Sequence, residues 1–165
     1  MKPAILLLAI VMLVSSSSVR AQRLFFAFGH AEYAAPLGDL RSGYANGLGV
    51  EAGIGLGFKS TFFTATTGYT WLMPQDDNSP AGNLRYQPFK LGVRKYLLRR
   101  NIFVKADAGL AGMKSEHSRD GSTHFTAGLG AGLKLATFEV LGEYTTVSGG
   151  WGSWLSIKAG LAIGL

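Results

Sequence analysis

The chain has 165 residues, 23 of them glycine and none cysteine, with 16 Lys and Arg against 10 Asp and Glu and 47% hydrophobic residues. The missing cysteines exclude a disulfide framework, a thiolate metal site and a lipid anchor on an N-terminal cysteine. The positive excess is modest, and its members sit singly along the chain rather than on one face or helix, which argues against nucleic acid as a partner.

Lys2 precedes an unbroken apolar run from Ala4 to Val14, then Ser15 to Ser18 and Val19-Arg20-Ala21 before Gln22. Eleven apolar residues fall short of the roughly 20 a spanning helix needs, and small residues precede Gln22, so residues 1–21 read as a cleavable signal peptide for export. Residues 22–165 form one domain, with 14 basic residues once Lys2 and Arg20 are set aside, against the same 10 acidic ones. No stretch in that domain reaches the roughly 18 consecutive apolar residues of a helical membrane span.

Alternation with period two dominates this domain. Leu48, Val50, Ala52, Ile54, Leu56 and Phe58 alternate with Gly47, Gly49, Glu51, Gly53, Gly55 and Gly57. The pattern returns at 127–133 and 157–165, one face apolar and the other nearly bare. Strands are predicted near 24–33, 46–58, 61–72, 84–97, 102–113, 123–136, 138–147 and 151–165. Eight antiparallel strands of this length, at about 3.3 Å per residue and tilted by about 40°, match the apolar thickness of an outer membrane. The predicted fold is therefore all-β, an eight-stranded antiparallel up-and-down transmembrane β-barrel.

Odd-to-even connections, 34–45, 73–83, 114–122 and the short 148–150, carry the turn formers, whereas even-to-odd connections are tight. Three long loops with the short fourth connection on one side, and tight turns with both termini on the other, are expected to be extracellular and periplasmic respectively. The extracellular loop residues are then Asp39, Arg41, Asp76, Asp77, Lys114, Glu116, Arg119 and Asp120, of mixed sign. Aromatics near strand ends, Phe58, Tyr69, Trp71, Phe138 and Trp151, are assigned to the membrane interface, where an apolar ring with a polar tip suits the headgroup level.

Setting the Leu, Val and Ile rows toward lipid turns Glu51, Lys90, Arg94, Lys105, Asp107, Lys134, Glu139, Glu143 and Lys158 inward. An eight-stranded lumen has room for side chains and little else, so these groups are expected to pair across it as a charged plug. Lys95 falls outward near the turn end, where its stem can snorkel. The first strand stays open: Leu24, Phe26 and Phe28, accompanied by His30 and Glu32, compete with Phe25, Ala27 and Gly29 for the lipid face.

No constellation points to catalysis, a cofactor or a metal. His30, His117 and His124 lack ligand spacing with supporting carboxylates. Glu116-His117-Ser118 are sequence neighbours, and neighbours on a strand point opposite ways. The glycine runs lie inside strands rather than between strand and helix, unlike a phosphate loop.

The segments Pro36-Leu37-Gly38-Asp39-Leu40-Arg41-Ser42-Gly43-Tyr44 and Tyr86-Gln87-Pro88-Phe89-Lys90-Leu91-Gly92-Val93-Arg94-Lys95-Tyr96, with the alternating end Leu161, Ile163, Leu165, resemble the small outer-membrane β-barrels of the OmpA/OmpX-like group of Gram-negative bacteria. Many members end in Phe, from which Leu165 departs. The resemblance implies insertion by the barrel-assembly machinery and a structural, adhesive or surface-interaction role; the chain itself reads as a monomer in contact with outer-membrane lipids, without enzymatic activity. A peptidoglycan-binding domain, which OmpA-like members often carry after the barrel, is not expected here. The rival readings are a lipid A-modifying enzyme using His117, His124, Ser118 or Ser122, a narrow diffusion pore, and a soluble lipocalin-like carrier with the apolar face turned in.

Overall fold

The computed structural model describes residues 24–75, 82–97, 101–116 and 121–164. The proposed signal segment, Asp76, Asp77, His117, Ser118, Arg119, Asp120 and Leu165 lie outside them. The strands are β1 Phe25–Leu37, β2 Tyr44–Phe58, β3 Thr61–Pro74, β4 Leu84–Leu97, β5 Ile102–Ser115, β6 Ser122–Leu135, β7 Phe138–Val147 and β8 Gly152–Gly164, with one helical turn, α1, at Leu40–Gly43. Each strand pairs antiparallel with the next and β8 returns to β1, giving a closed eight-stranded up-and-down barrel. Closure leaves no strand edge, so the β1–β8 seam from Phe26↔Gly164 to Leu37↔Ser153 meets the hydrogen-bonding needs that an open sheet would leave unmet.

The first strand takes the register that puts Phe26, Phe28, His30 and Glu32 inside. An imidazole and a carboxylate would be costly on an apolar outer wall, and the two rings fill volume at the turn end of the lumen. β1 is longer than alternation implied. It pairs with β2 only as far as Ala34↔Gly47 but follows β8 to Leu37, so Ala34 to Leu37 belong to the wall. Ala-Ala-Pro carries no strand signal of its own, and Pro36 is held by a neighbour more than a hundred residues away in sequence. The connection left between Leu37 and Tyr44 is short and tightens into α1, where Arg41 N donates to Gly38 O (3.1 Å) and Ser42 Oγ to Asp39 O (2.7 Å).

Lys114, expected in a loop, lies within β5, because pairing with β4 continues through Arg85↔Lys114 to Leu84↔Ser115. At the other end of the barrel, Lys59-Ser60 and Ala136-Thr137 make two-residue turns. Lys59 and Ala136 both adopt φ 57°, the left-handed conformation that tight hairpins demand.

The interior is layered. At the loop end Ala34, Leu72, Leu84, Tyr86, Met113, Val147 and Trp154 pack together, roofed by Leu40 of α1. At the turn end Phe26, Phe28, Phe62, Tyr96, Phe103, Leu141 and Ala162 form a second apolar layer. Charged residues occupy the space between them. Leu, Ile, Val and Phe side chains cover the outer wall at mid-height, among them Val50, Ile54, Leu91, Leu129 and Ile157. This polarity is the reverse of what a lipocalin-like carrier requires.

Gly160 sits where the barrel closes, opposite His30 on β1 and Glu139 on β7. A Cβ there would press on the Gly29 carbonyl and come within 2.7 Å of His30 Cα. Gly160→Val should therefore destabilise the barrel by about 1–3 kcal/mol, measured as a lower urea midpoint for loss of the compact band on unheated gels.

Candidate functional site: the barrel interior and its rim

All nine interior charges named from the sequence are buried inside the barrel. Their arrangement centres on two glutamates. Glu143, on β7, receives Lys90 Nζ at 2.7 Å, Lys105 Nζ at 2.7 Å and Lys158 Nζ at 3.1 Å. Glu139, four residues earlier and so on the same face, receives Arg94 at 2.8 Å, Lys134 Nζ at 3.3 Å and the Tyr96 hydroxyl at 3.2 Å. Asp107 lies 3.0 Å from Lys90 and 2.9 Å from Lys105. Glu51 accepts from Lys158 at 2.6 Å. The strands bring these groups from opposite walls, so the pairs tie β2, β4, β5, β7 and β8 across the lumen.

Alternation left two members undecided. His30 bridges the two halves of the network, with Nε2 3.3 Å from Glu139 and Nδ1 3.5 Å from Glu51. Glu32 accepts from Thr70 Oγ1 at 3.0 Å. With Glu32 included, five carboxylates share the interior with five cations and His30. Phe26, Phe28, His30 and Glu32 share one face, and two ionisable groups on that face were the available signal for turning it inward.

The bare glycine face now has a purpose. Glu51 stands opposite Gly68, Lys90 opposite Gly109, Glu143 opposite Gly130, and Asp107 between Gly92 and Gly128. A Cβ on Gly128 would lie 2.6 Å from Asp107 Oδ1 and 2.9 Å from Glu143 Oε1. At Gly128 the omitted side chain is the volume into which the Asp107 and Glu143 carboxylates lean, and at Gly68, Gly92, Gly109 and Gly130 a Cβ would crowd the facing strand. Arg94 is held differently. Its Nε and one terminal nitrogen have no hydrogen-bond partner, but the guanidinium lies 5.0, 4.6 and 4.4 Å from the ring centres of Phe26, Phe28 and Phe103. Those ring faces supply negative charge in place of an acceptor.

At the loop end, Asp39 and Arg41 are exposed around α1, and Glu116 accepts from Asn83 Nδ2 at 2.9 Å. Phe58 and Phe138 are exposed beside the tight turns and Trp71 at the loop end, where its ring packs 4.3 Å from that of partly exposed Tyr69. Trp151 precedes β8 in a glycine turn and packs, half-buried, against the apolar mouth and the His124 ring, 5.4 Å away between centres. The turn's left-handed Gly149, Gly150 and Gly152 allow that inward fold.

Ser122 Oγ and His124 Nε2 are 2.7 Å apart, the pairing a hydrolase would require. No carboxylate among the described residues bonds the other ring nitrogen to orient it, as a relay needs. Among these residues, no group of three or more His, Cys, Asp or Glu is arranged to hold a metal ion.

The chain is similar in structure to Neisserial surface protein A, with a TM-score of 0.60 and 14% identity over 86% of this chain and 97% of that one. Its fold is that of the small outer-membrane barrels. It is also similar to Ail, the attachment invasion locus protein of Yersinia pestis, in a crystal structure (TM-score 0.51, 12% identity, 84% of this chain and 96% of that one). A backbone structure of the same outer membrane protein in a phospholipid bilayer nanodisc gives a TM-score of 0.59 and 13% identity, with 84% and 99% covered. No protein-family model and no curated protein sequence matches the chain.

Because Glu143 answers three lysines, Glu143→Gln should cost about 3–5 kcal/mol by leaving buried cations short of a partner. Lys105→Met added to it should recover part of that loss. Urea midpoints of the two variants in lipid vesicles check both statements.

Proposed function

We propose that the protein is an integral outer-membrane barrel, acting as a monomer, whose sealed wall is a rigid scaffold for surface contacts made by its loops. The observation that carries this reading is the inverted polarity: charges fill the interior while Leu, Ile, Val and Phe ring the outside. Soluble monomers rarely expose a continuous apolar surface larger than a few hundred Å². A closed barrel can present such a surface to lipid because its backbone groups are satisfied internally. The likeness to an outer membrane protein described in a bilayer supports the location, and export by the signal segment at residues 1–21, with insertion by the barrel-assembly machinery, fits it.

The core does not conduct on this reading. Paired charges in the middle of the lumen, with apolar layers above and below them, support that reading. Function then falls to the loop end, since rigid scaffolds generally display binding residues on their connections. The candidates are Asp39, Arg41 and Glu116, joined by Asp76, Asp77, Arg119 and Asp120. Attachment, the role named for the Yersinia pestis relative in structure, is the kind of activity such loops can perform without catalysis.

Outer-membrane fractions from expressing cells should contain the protein, with a band that migrates differently before and after heating. The same material in planar bilayers should give no conductance steps. Recovery as soluble protein without detergent would overturn the membrane reading, and stable unitary conductance would overturn the sealed core.

A further inference from the structure

The outer wall carries one arrangement that neither lipid contact nor loop display explains. Arg85 on β4 and Lys114 on β5 are directly opposed across the strand pair, and both point outward. Like charges placed opposite one another destabilise a sheet. Inside the barrel every cation stands beside a carboxylate; here no ion pair joins Arg85 or Lys114 to a carboxylate among the described residues. The rim carboxylate Glu116 is instead bonded to Asn83.

The surroundings change in register with height. Trp71 flanks Arg85 in the same cross-strand row. The next row toward mid-barrel is Gln87, Gly112 and Thr123, where the missing side chain opens a depression of about 300 Å³ below the two cations. The row after that is Phe89, Leu110 and Phe125, all exposed and apolar. Reading inward from the loop end, the wall thus presents two cations, then neutral hydrogen-bonding groups, then a hydrocarbon surface. That is the polarity profile of a phospholipid or phosphorylated glycolipid standing upright in the outer leaflet.

Resting on the membrane reading above, we infer that Arg85 and Lys114 form a binding site for the phosphate headgroup of an anionic lipid, whose acyl chain lies along Phe89, Leu110 and Phe125. The phosphate accepts charge-assisted hydrogen bonds from both cations, and their mutual repulsion becomes shared attraction. Gly112 belongs to the site by leaving room for the groups beneath the phosphate.

The test uses the full barrel folded in phosphatidylcholine vesicles containing a small fraction of phosphatidic acid with identical acyl chains, whose headgroup is a bare phosphate. Lipid retained on the detergent-extracted protein is counted by native mass spectrometry. Folding is scored separately by the heat-dependent gel shift. Wild type should enrich phosphatidic acid over its share of the vesicle, and Arg85→Gln or Lys114→Gln should each lower that enrichment about fivefold. Lys95→Gln, which removes an outward cation at the opposite end, should leave it unchanged. Equal enrichment in wild type and the Arg85→Gln, Lys114→Gln double variant would overturn the site while the membrane reading stood. An equal drop with Lys95→Gln would overturn it in favour of diffuse charge attraction, and failure of the wild type to enter vesicles would overturn the membrane reading and the site together.

Discussion

An eight-stranded barrel closes around a space that holds side chains and almost no water, and that restriction governs every inward residue of this protein. An ion taken into such a space loses several kcal/mol of hydration that only close partners can return. The interior therefore has to be neutral as a set and paired in detail. Five carboxylates and five cations balance, and ion pairs engage all of them except Glu32, which accepts from the Thr70 hydroxyl instead. Volume is restricted as tightly as charge, so long side chains alternate with glycine across neighbouring strands rather than along one strand. Asp107 between Gly92 and Gly128 is the clearest instance.

The two apolar layers make the charged layer more than filler. By keeping water from both ends they leave each ion pair in a medium where attraction is strong and the loss of a partner is uncompensated. Arg94 links the layers: it reaches Glu139 on one side and lies among Phe26, Phe28 and Phe103 on the other. Leu40 serves the opposite end, bringing the α1 turn down onto Trp154 and its neighbours. The single short helix thus belongs to the core's closure as well as to the exposed rim, since Asp39 and Arg41 stand beside the residue that seals it.

Much of this was legible in the sequence because alternation is a local property. Strand number, the hairpin order and the nine charges that share the glycine face follow from period two alone. What alternation cannot convey is which of two mixed faces turns inward. In β1, large apolar rings and ionisable groups occupy the same face, and the decision rests on packing against Phe62, Tyr96 and Phe103 from distant strands. The length of β1 was hidden for a related reason, since Pro36 is held in the wall by Trp154 of β8. The interior aromatic layers were missed because a Phe or Trp near a strand end reads equally as membrane girdle or lumen cap. Trp151 shows the ambiguity most directly: it lies at the height of a girdle but turns toward the mouth.

Charge pairing also distinguishes what the chain completes by itself from what it leaves to its surroundings. Inside, closure forces each charge to find its partner within the fold, and the cross-lumen geometry supplies one. On the outer wall no such pressure acts, and a cation left beside another cation, with no carboxylate paired to it among the described residues, favours a partner of opposite charge. Lys95, near the tight turns, needs only its own flexible stem to reach the headgroup level. Arg85 and Lys114 are different because the pairing of β4 with β5 fixes them side by side, so neither can relieve the repulsion by moving along the wall. An anion shared between them lowers the energy of both without disturbing a strand, and on a wall facing lipid a phosphate headgroup can supply it.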